Sequence, residues 1–376
     1  LKTRQRPLPK DAQKRKEGRK MRTPLFTVAI LCCETAPFLE RAIDSVALQD
    51  FEDFNALLIV EESRDNSLEI ARRRAESDAR FKCAELPRSG SGAASRNYAI
   101  SHADGQYIVF LDGDDWLKPD ALRLLAGSIS AANCPDVLMI NAEEVEENGG
   151  KFELRRIVEN LPESFDGAET DGESLILNIG KFGAAVNAFS WLSVCRTDYL
   201  RTNELYQNAG LFMEDFEWSP RCWLAAKRVK ILSKPLYVYR RRANSATTQA
   251  SAKILFDISA QFSSFIGYLK GREIRKSVRA VLANQWFSLL FWYSFEPVYD
   301  FKFSDSDRLA ARNMLLSPEN ALFLSDFARM LSPFKRILFA LYRVDGRIGI
   351  LLAKTLYRAA FGVSRRLSKL RNGGAK

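Results

Sequence analysis

Residues 107–116 read Y-I-V-F-L-D-G-D-D-W. Four apolar residues, Ile108 to Leu111, run straight into Asp112, Asp114 and Asp115. A short β-branched and aromatic run reads as a buried strand, and open α/β sheets bind ligands at the C-terminal ends of their strands. Carboxylates released there, with a glycine between them, can hold a divalent ion against a phosphate, because hard oxygen ligands suit Mg²⁺ or Mn²⁺. The same spacing fits an acidic turn that caps the next helix. These ten residues alone leave both readings open.

The order of elements upstream favours the first. Phe26 to Leu31 is a short apolar run, followed by helical spacing of Phe38, Ala42, Ile43, Val46 and Ala47 within Pro37–Gln49. Leu57 to Val60 reads as a second strand ending at Glu61 and Glu62, Ser67–Ser77 as a helix, and Phe81–Leu86 as a third strand. A loop with Gly90 and Gly92 precedes a helix over Ala93–His102. After the Asp112 strand come a helix over Pro119–Ser130 and a strand over Asp136–Ile140. Strand–helix alternation with short connections predicts an α/β fold, a mostly parallel sheet covered on both faces. Glu61, Glu62, Gly90, Gly92, Asp112 and Asp114 then share one sheet edge.

At these residues the chain resembles the family 2 glycosyltransferases, inverting, metal-dependent enzymes with the nucleotide-diphospho-sugar-binding GT-A fold. The family's V-Y-N strand end aligns with Cys32-Cys33-Glu34. Its L-x-R-x-x-x-S-x-x-x-Q is matched by Leu39, Arg41, Ser45 and Gln49, and its V-D-D-G-S-x-D-x-S by V-E-E-S-R-D-N-S, one residue shorter. The glycine loop with A-R-N is similar to G-S-G-A-A-S-R-N (Gly90–Asn97), and D-x-D-D to Asp112–Asp115. Downstream, F-M-E-D-F-E-W (Phe212–Trp218) looks like the family's E-D segment, and Y-V-Y-R-R-R-A-N-S-A-T-T (Tyr237–Thr248) like its Y-x-Y-R…S segment. The likeness runs from Pro24 to Thr248. Each motif alone is weak, and their order is what makes the resemblance specific.

The resemblance implies transfer of a sugar from a nucleotide-sugar donor, with Glu34, Glu61, Glu62, Gly92, Arg96 and Asp112 around the nucleotide. Glu62 would hydrogen-bond the base, expected to be uracil, although Glu61-Glu62 replaces the usual aspartates. Asp114 is the expected direct ligand of Mn²⁺ or Mg²⁺, with Asp112 near the metal or ribose and Asp115 orienting the turn or a sugar hydroxyl. Guanidinium groups suit phosphate oxygens, so one of Arg240, Arg241 and Arg242, with Arg240 favoured, is expected to close over the donor. Arg96 either touches diphosphate or base, or forms an ion pair on its helix. Asp215, with Glu214 beside it, matches the family's general base. An apolar setting would raise a carboxylate pKa toward the range useful for that task. The same two acids also fit the N-terminal charges of a helix running on to Ala226. Trp191 and Trp218 are candidate platforms for an acceptor sugar, or core residues.

The two ends of the chain are strongly basic. Residues 1–22 carry ten Lys/Arg against two acids, and residues 334–376 carry eleven against one, so the net +10 belongs to the ends. The organisation expected is a basic disordered tail (1–22) and a GT-A domain (23–248; donor half 23–141, acceptor half 142–248). A helical region (249–333) and basic amphipathic helices (334–376) follow. The tail has no apolar segment of a signal peptide, and a chain starting without Met points to a processed or excised N-terminus. No apolar run approaches the about 20 residues that span a bilayer. Basic amphipathic helices fit an anionic membrane surface, where a lipid-linked acceptor would lie, or a cap packed on the domain. The aromatic run Trp286–Phe295 reads first as a core helix, then as an interfacial or homodimer contact.

The lone histidine, His102, reads as a helix C-terminal residue, which leaves zinc hydrolase and Ser-His-Asp schemes without their usual parts. Six cysteines without C-x-x-C spacing point to a reducing compartment. The leading expectation is a cytoplasmic enzyme, peripheral on the inner membrane face, that adds one sugar to a glycan or lipid-linked acceptor for surface polysaccharide or lipopolysaccharide. The alternatives are an inactive scaffold of the same fold and a basic-tailed nucleic-acid-binding protein. No nucleic acid is expected as partner, since the charge is confined to the ends and no recognition motif appears.

Overall fold

The computed structural model describes residues 23–148, 151–182, 187–242, 253–295, 304–344, 348–349 and 351–357. The 1–22 tail, the 243–248 part of the Y-x-Y-R…S segment and the basic stretch from 358 onward lie outside the described residues.

The scaffold is a sheet built on β1 (Phe26–Cys32), every residue of which is buried. It pairs in parallel with β2 (Phe54–Glu61) on one side and β4 (Tyr107–Asp112) on the other, and β2 pairs in parallel with β3 (Phe81–Leu86). Strands covered on both faces read as unbroken apolar runs, which is why F-T-V-A-I-L-C and Y-I-V-F-L-D were legible as strands. Leu31 lies opposite Asp112, and Cys32 opposite Val60. The strand ends are therefore flush, and the polar residues following them crowd onto one edge.

Helices α1 (Ala36–Ala47), α2 (Ser67–Ser77), α3 (Ala93–His102) and α4 (Ala121–Ala131) connect these strands. Their bounds lie within one or two residues of the expected ones. In α1 the buried residues Leu39, Ala42, Ile43 and Val46 form one apolar stripe. Its start is held from the next loop: Asp65 Oδ2 accepts from Ala36 N at 2.9 Å, and Ser67 Oγ from Thr35 N at 3.0 Å.

The sheet is not as uniformly parallel as expected. Its order is β3-β2-β1-β4-β9-β6-β10-β5. The four-residue β9 (Ser193–Arg196) runs antiparallel between β4 and β6 (Val137–Asn148). S-V-C-R is too short to show a period. Its conformation is set by the two neighbours that clamp it. Beyond it, β6 pairs in parallel with β10 (Val229–Arg241), whose register shifts around Pro235, a residue that has no N–H for the ladder. Strands β5 (Trp116–Leu117), β7 (Lys151–Val158) and β8 (Glu169–Thr170) add antiparallel edges.

Helices α5 (Gly172–Phe182), α6 (Thr197–Thr202) and α7 (Glu214–Ala225) complete this half. A helical extension follows: α8 (Lys253–Leu269), α9 (Lys276–Phe295), α10 (Asp305–Leu315), α11 (Ala321–Met330) and α12 (Pro333–Arg343). It docks beside the start of α7. Buried Asp257 accepts from Phe212 N at 2.9 Å, and Asn208 Nδ2 donates to Gln261 Oε1 at 2.8 Å. Trp286, Phe287 and Phe291 of the aromatic run in α9 are buried and belong to the core. No helix among the described residues is long and apolar enough to cross a membrane.

Gly105, at the turn into β4, shows how tightly the scaffold is closed. Its N–H donates to Thr27 Oγ1 at 2.8 Å, and a Cβ there would lie 2.3 Å from Thr27 N. Gly105→Ala must push the β1 and β4 backbones apart. A loss of about 1–3 kcal/mol is expected, read as a lower urea midpoint with unchanged slope; an unchanged midpoint would contradict this packing.

Candidate active site

The site is assembled at the flush strand ends, and its centre is Arg96 on α3. The guanidinium is buried. Nη2 donates to Asp112 Oδ1 at 2.9 Å and Nη1 to Glu214 Oε1 at 3.0 Å, and Asp215 Oδ1 lies 3.8 Å away. One side chain thus joins the end of β4 to the start of α7, residues more than a hundred positions apart. Burial opposes the charge on Arg96, but Asp215, Asp112 and Glu214 more than offset it, so its pKa is raised. The sequence offered contact with diphosphate or base, or an ion pair. The structure has the ion pair, and Arg96 Nε is left without a hydrogen-bond partner among the described residues.

The carboxylates answer to the same balance. Burial pushes Asp112 up to about 6, with Arg96 acting downward and Asp114 upward. Burial and then Asp215 push Glu214 up to about 7, again against Arg96. Asp115 is wholly buried and raised by burial and by its two acidic neighbours. It accepts from Tyr237 Oη at 2.6 Å and from Arg240 N at 2.7 Å, and so ties the acidic turn to β10. That is the turn-orienting role expected of it. Asp114 has a different setting, an ion pair from its Oδ2 to Arg242 Nε at 2.7 Å.

Gly92 and Gly113 are required by close approach. A Cβ on Gly92 would sit 2.4 Å from Arg96 Nη1, and one on Gly113 would sit 2.7 Å from Leu31 O. Gly92 therefore makes room for the guanidinium. Buried Glu61 holds the same loop from the other side, accepting from Ser89 N at 2.9 Å and from Ser95 Oγ at 2.8 Å. It was expected near the nucleotide; here it is committed to the glycine loop. Glu62 is exposed at the edge, with its N–H bonded to Leu86 O at 2.9 Å. Glu34, in left-handed backbone at φ 51°, pairs with Arg88 at 2.6 Å.

Three of the L-x-R-x-x-x-S-x-x-x-Q residues, Arg41, Ser45 and Gln49, grip the segment after the acids, and Leu39 is buried in the core. Arg41 stacks 3.7 Å from the Trp116 ring centre. Ser45 Oγ accepts from Leu117 N at 3.1 Å. Gln49 donates to Lys118 O at 2.7 Å and accepts from Leu122 N at 2.9 Å. Their contribution is to fix where Asp112–Asp115 emerge.

Glu214 and Asp215 open α7, behind Met213 in left-handed backbone at φ 63°. The helix-terminus reading of these acids therefore holds, and their position in the cluster comes with it. Asp215 accepts a hydrogen bond from the Ser190 hydroxyl, which accepts from Gln207 Nε2 at 2.7 Å. Gln207 is latched in turn by Asn97, through bonds of 2.7 and 2.8 Å to its backbone. Sequence reading missed Ser190 and Gln207, which carry no motif. Asn97 was in plain view beside Arg96.

Three expectations need correction. Arg240 was favoured to close over a donor, but it is buried. Its Nε donates to Asp114 O at 3.1 Å, Nη1 pairs with Glu147 at 3.1 Å, and its guanidinium stacks 4.7 Å from the Phe38 ring centre. Arg242, more exposed and on the Asp114 carboxylate, is the arginine at the mouth. Trp218 is 0% exposed with its indole N–H on Leu205 O at 2.7 Å. Trp191 is 3% exposed, stacked between Phe189 and Tyr237 at 4.8 and 4.4 Å. Neither ring offers a face to a sugar. His102 ends α3 as expected, stacked 3.9 Å from Tyr98.

Two outcomes follow from this geometry. Gly92→Ala drives Arg96 off its carboxylates and should cost about 1–3 kcal/mol of stability, measured by urea unfolding. Glu214 has a second signature. Its folded pKa lies above its unfolded one, so between about pH 4.5 and 7 the native state keeps a proton that the unfolded chain releases. Stability must fall as pH rises through that window. Melting temperatures at pH 5 and pH 8 should differ more in this sense for the wild type than for Glu214→Gln. Equal differences would show that Glu214 is not so perturbed.

The family model described as "Glycosyl transferase family 2" matches residues 27–188. EpsH of Bacillus subtilis is 25% identical over 266 residues, covering 69% of this chain and 74% of its own. The poly(ribitol-phosphate) β-N-acetylglucosaminyltransferase TarS of Staphylococcus aureus is 26% identical over 218 residues, 57% of this chain and 35% of its own. This chain thus spans about a third of TarS. The crystal structure of S. aureus TarS with UDP-GlcNAc superposes with a TM-score of 0.68 at 21% identity, covering 89% of this chain and 92% of that one, and shares the fold. The ordered motifs, the sheet with its acidic edge and these matches make one case: residues 27–188 are a family 2 glycosyltransferase domain, and the chain is a glycosyltransferase.

Proposed function

We propose that the enzyme transfers a sugar from a UDP-sugar, with inversion, to a glycan or lipid-linked acceptor of a bacterial surface polymer. The observation that carries this reading is the Arg96 cluster, which brings the end of β4 and the first turn of α7 to one place. A donor diphosphate and an acceptor hydroxyl would have to meet at such a junction. TarS lends support for the donor and the acceptor class: its name records a poly(ribitol-phosphate) substrate, and one of its crystal structures holds UDP-GlcNAc. The donor half is assigned to 23–141 and the acceptor half to 142–248.

In this reading Asp215 is the general base. Of the two acids, Glu214 is committed to Arg96, whereas Asp215 is held by the Ser190 hydroxyl and retains an oxygen for an acceptor O–H. Removing that proton lets the acceptor oxygen attack the anomeric carbon opposite the departing diphosphate, which inverts the centre. Ser190 and Gln207 orient the carboxylate. Arg96 acts against the burial that raises Glu214 and Asp112 and holds both in register, and Glu62 and Glu34 line the nucleotide end.

Among the described residues no three His, Cys, Asp or Glu side chains gather as a metal cage. That donor set still fits Mg²⁺ or Mn²⁺ bound to a nucleotide, where one or two carboxylates suffice and phosphates and water supply the rest. Asp114 already faces a cation, Arg242. Asp114, with Asp112 beside it, would hold the ion, which would neutralise charge on the leaving diphosphate. Arg242 would close on the phosphates in place of Arg240.

We also place the enzyme peripherally on an anionic membrane surface. Leu338, Phe339 and Tyr342 of α12 are buried, while Phe334 and Ile337 are 40% and 55% exposed on a helix that also carries Lys335, Arg336 and Arg343. The helix thus serves as a cap and still exposes apolar side chains.

The roles separate in two variants. Asp114→Ala should weaken UDP binding in Mn²⁺ at least about tenfold, a loss of some 1.4 kcal/mol. Asp215→Asn should bind UDP as the wild type does but lose transfer by about 10²–10⁴-fold. Equal loss of binding in both, by calorimetry, would contradict this division.

A further inference from the structure

The loop that leads into α7 is held from two sides. On the side of the acidic edge, Asn97 of α3 grips the backbone N–H and carbonyl of Gln207. On the other side the helical extension holds the residues that follow. Asn208 Nδ2 donates to Gln261 Oε1 at 2.8 Å and to Ser264 Oγ at 3.1 Å, both on α8. Asp257 Oδ2, also on α8, accepts from Phe212 N at 2.9 Å. Lys253 pairs with the same carboxylate and donates from Nζ to Gly210 O at 3.2 Å. The Tyr293 hydroxyl of α9 lies 3.9 Å from Met213 Sδ.

Met213 is the strained point of this run. It stands immediately before α7 in left-handed backbone at φ 63°, and its side chain does not cap the helix. A non-glycine residue keeps such a conformation only where its surroundings over-determine it. Its φ also sets the direction in which the chain enters the helix, and Glu214 and Asp215 are the next two residues. Asp257 is 4% exposed, and it commits its charge to the N–H adjacent to Met213. A well-packed apolar residue would cost less to bury there than a carboxylate.

We infer that Asp257 is a positioning residue for Asp215: by holding Phe212 N, it keeps Met213 in the left-handed region and the first turn of α7 on the acidic edge. The inference rests on the reading of Asp215 as the general base. Without Asp257, Met213 relaxes toward negative φ and the first turn leaves Ser190 and Arg96. The rest of α7 stays, because Trp218, Cys222 and Trp223 are buried in the core. Asp112 and Asp114 follow β4 and keep their places. Donor binding and turnover therefore separate at a residue that belongs to the helical extension.

Amide hydrogen exchange of the full chain reads the position without any ligand. The wild type should protect Phe212 N, held by Asp257, and Phe216 N, which donates to Met213 O at 3.2 Å in the first turn of α7. In Asp257→Ala both should exchange at least about tenfold faster, with Cys222 and Trp223 unchanged. Asp257→Asn, whose amide oxygen can still accept from Phe212 N, should restore protection. With UDP-GlcNAc in Mn²⁺, kcat for UDP release should fall about a hundredfold in Asp257→Ala, recover in Asp257→Asn, and leave the Kd for UDP unchanged. Unchanged Phe216 exchange in Asp257→Ala, an equal loss of UDP binding, or no recovery in Asp257→Asn overturns the inference. Circular dichroism checks folding; should the alanine variant not fold, free exchange of Phe212 in the wild type or lost turnover in Asp257→Asn overturns it. A wild type that binds no UDP overturns instead the transferase reading, and the exchange result still decides whether Asp257 holds α7.

Discussion

A buried guanidinium surrounded by carboxylates is the constraint on which this structure turns. Arg96 has left water almost completely, and the carboxylates of Asp112 and Glu214 restore what it lost. Taking one member from such a set leaves an uncompensated charge inside, at a cost of about 3–5 kcal/mol. Neither partner can therefore drift. The β4 end and the first turn of α7 are bound to one side chain. Gly92 exists where it does because any Cβ there would collide with that side chain.

Much of the remaining polar architecture serves the same end at one remove. Asp115 anchors the acidic turn to β10 through Tyr237 and Arg240. Ser45, Gln49 and Arg41 fasten the segment immediately after it. Asn97 holds Gln207, which holds Ser190, which holds Asp215. The helical extension supports the loop before α7 through Asp257 and Asn208. These are hydrogen bonds between elements rather than within them. The edge is thus stiff, with the acids at fixed separations.

What could be read from the chain, and what could not, follows from the range of the forces involved. Unbroken apolar runs and a clear helical stripe are local, so β1 to β4 and α1 to α4 were legible almost to their ends. The acidic edge was legible too, because parallel strands of matched register must end together. Strand β9 was not, since four residues have no period and owe their conformation to neighbours on either side. Arg240 and Arg242 were indistinguishable in R-R-R: two positions apart they lie on the same side, both over Phe38, and only the contacts of Arg240 with Phe152 and Glu147 reveal which is buried. Trp218 looked like a sugar platform because tryptophan is suited to either task; its buried N–H on Leu205 O decides for the core. Ser190 belongs to a segment without a signature and reaches Asp215 only through tertiary packing.

The account stands or falls on whether the acidic edge is a nucleotide-diphosphate site. Calorimetric titration with UDP, GDP and CDP, each in Mn²⁺ and in EDTA, asks this directly. The predicted result is binding of UDP in Mn²⁺ that is lost in EDTA and not matched by the other two. Failure of all three to bind under either condition would contradict the account and leave the same fold serving as a scaffold.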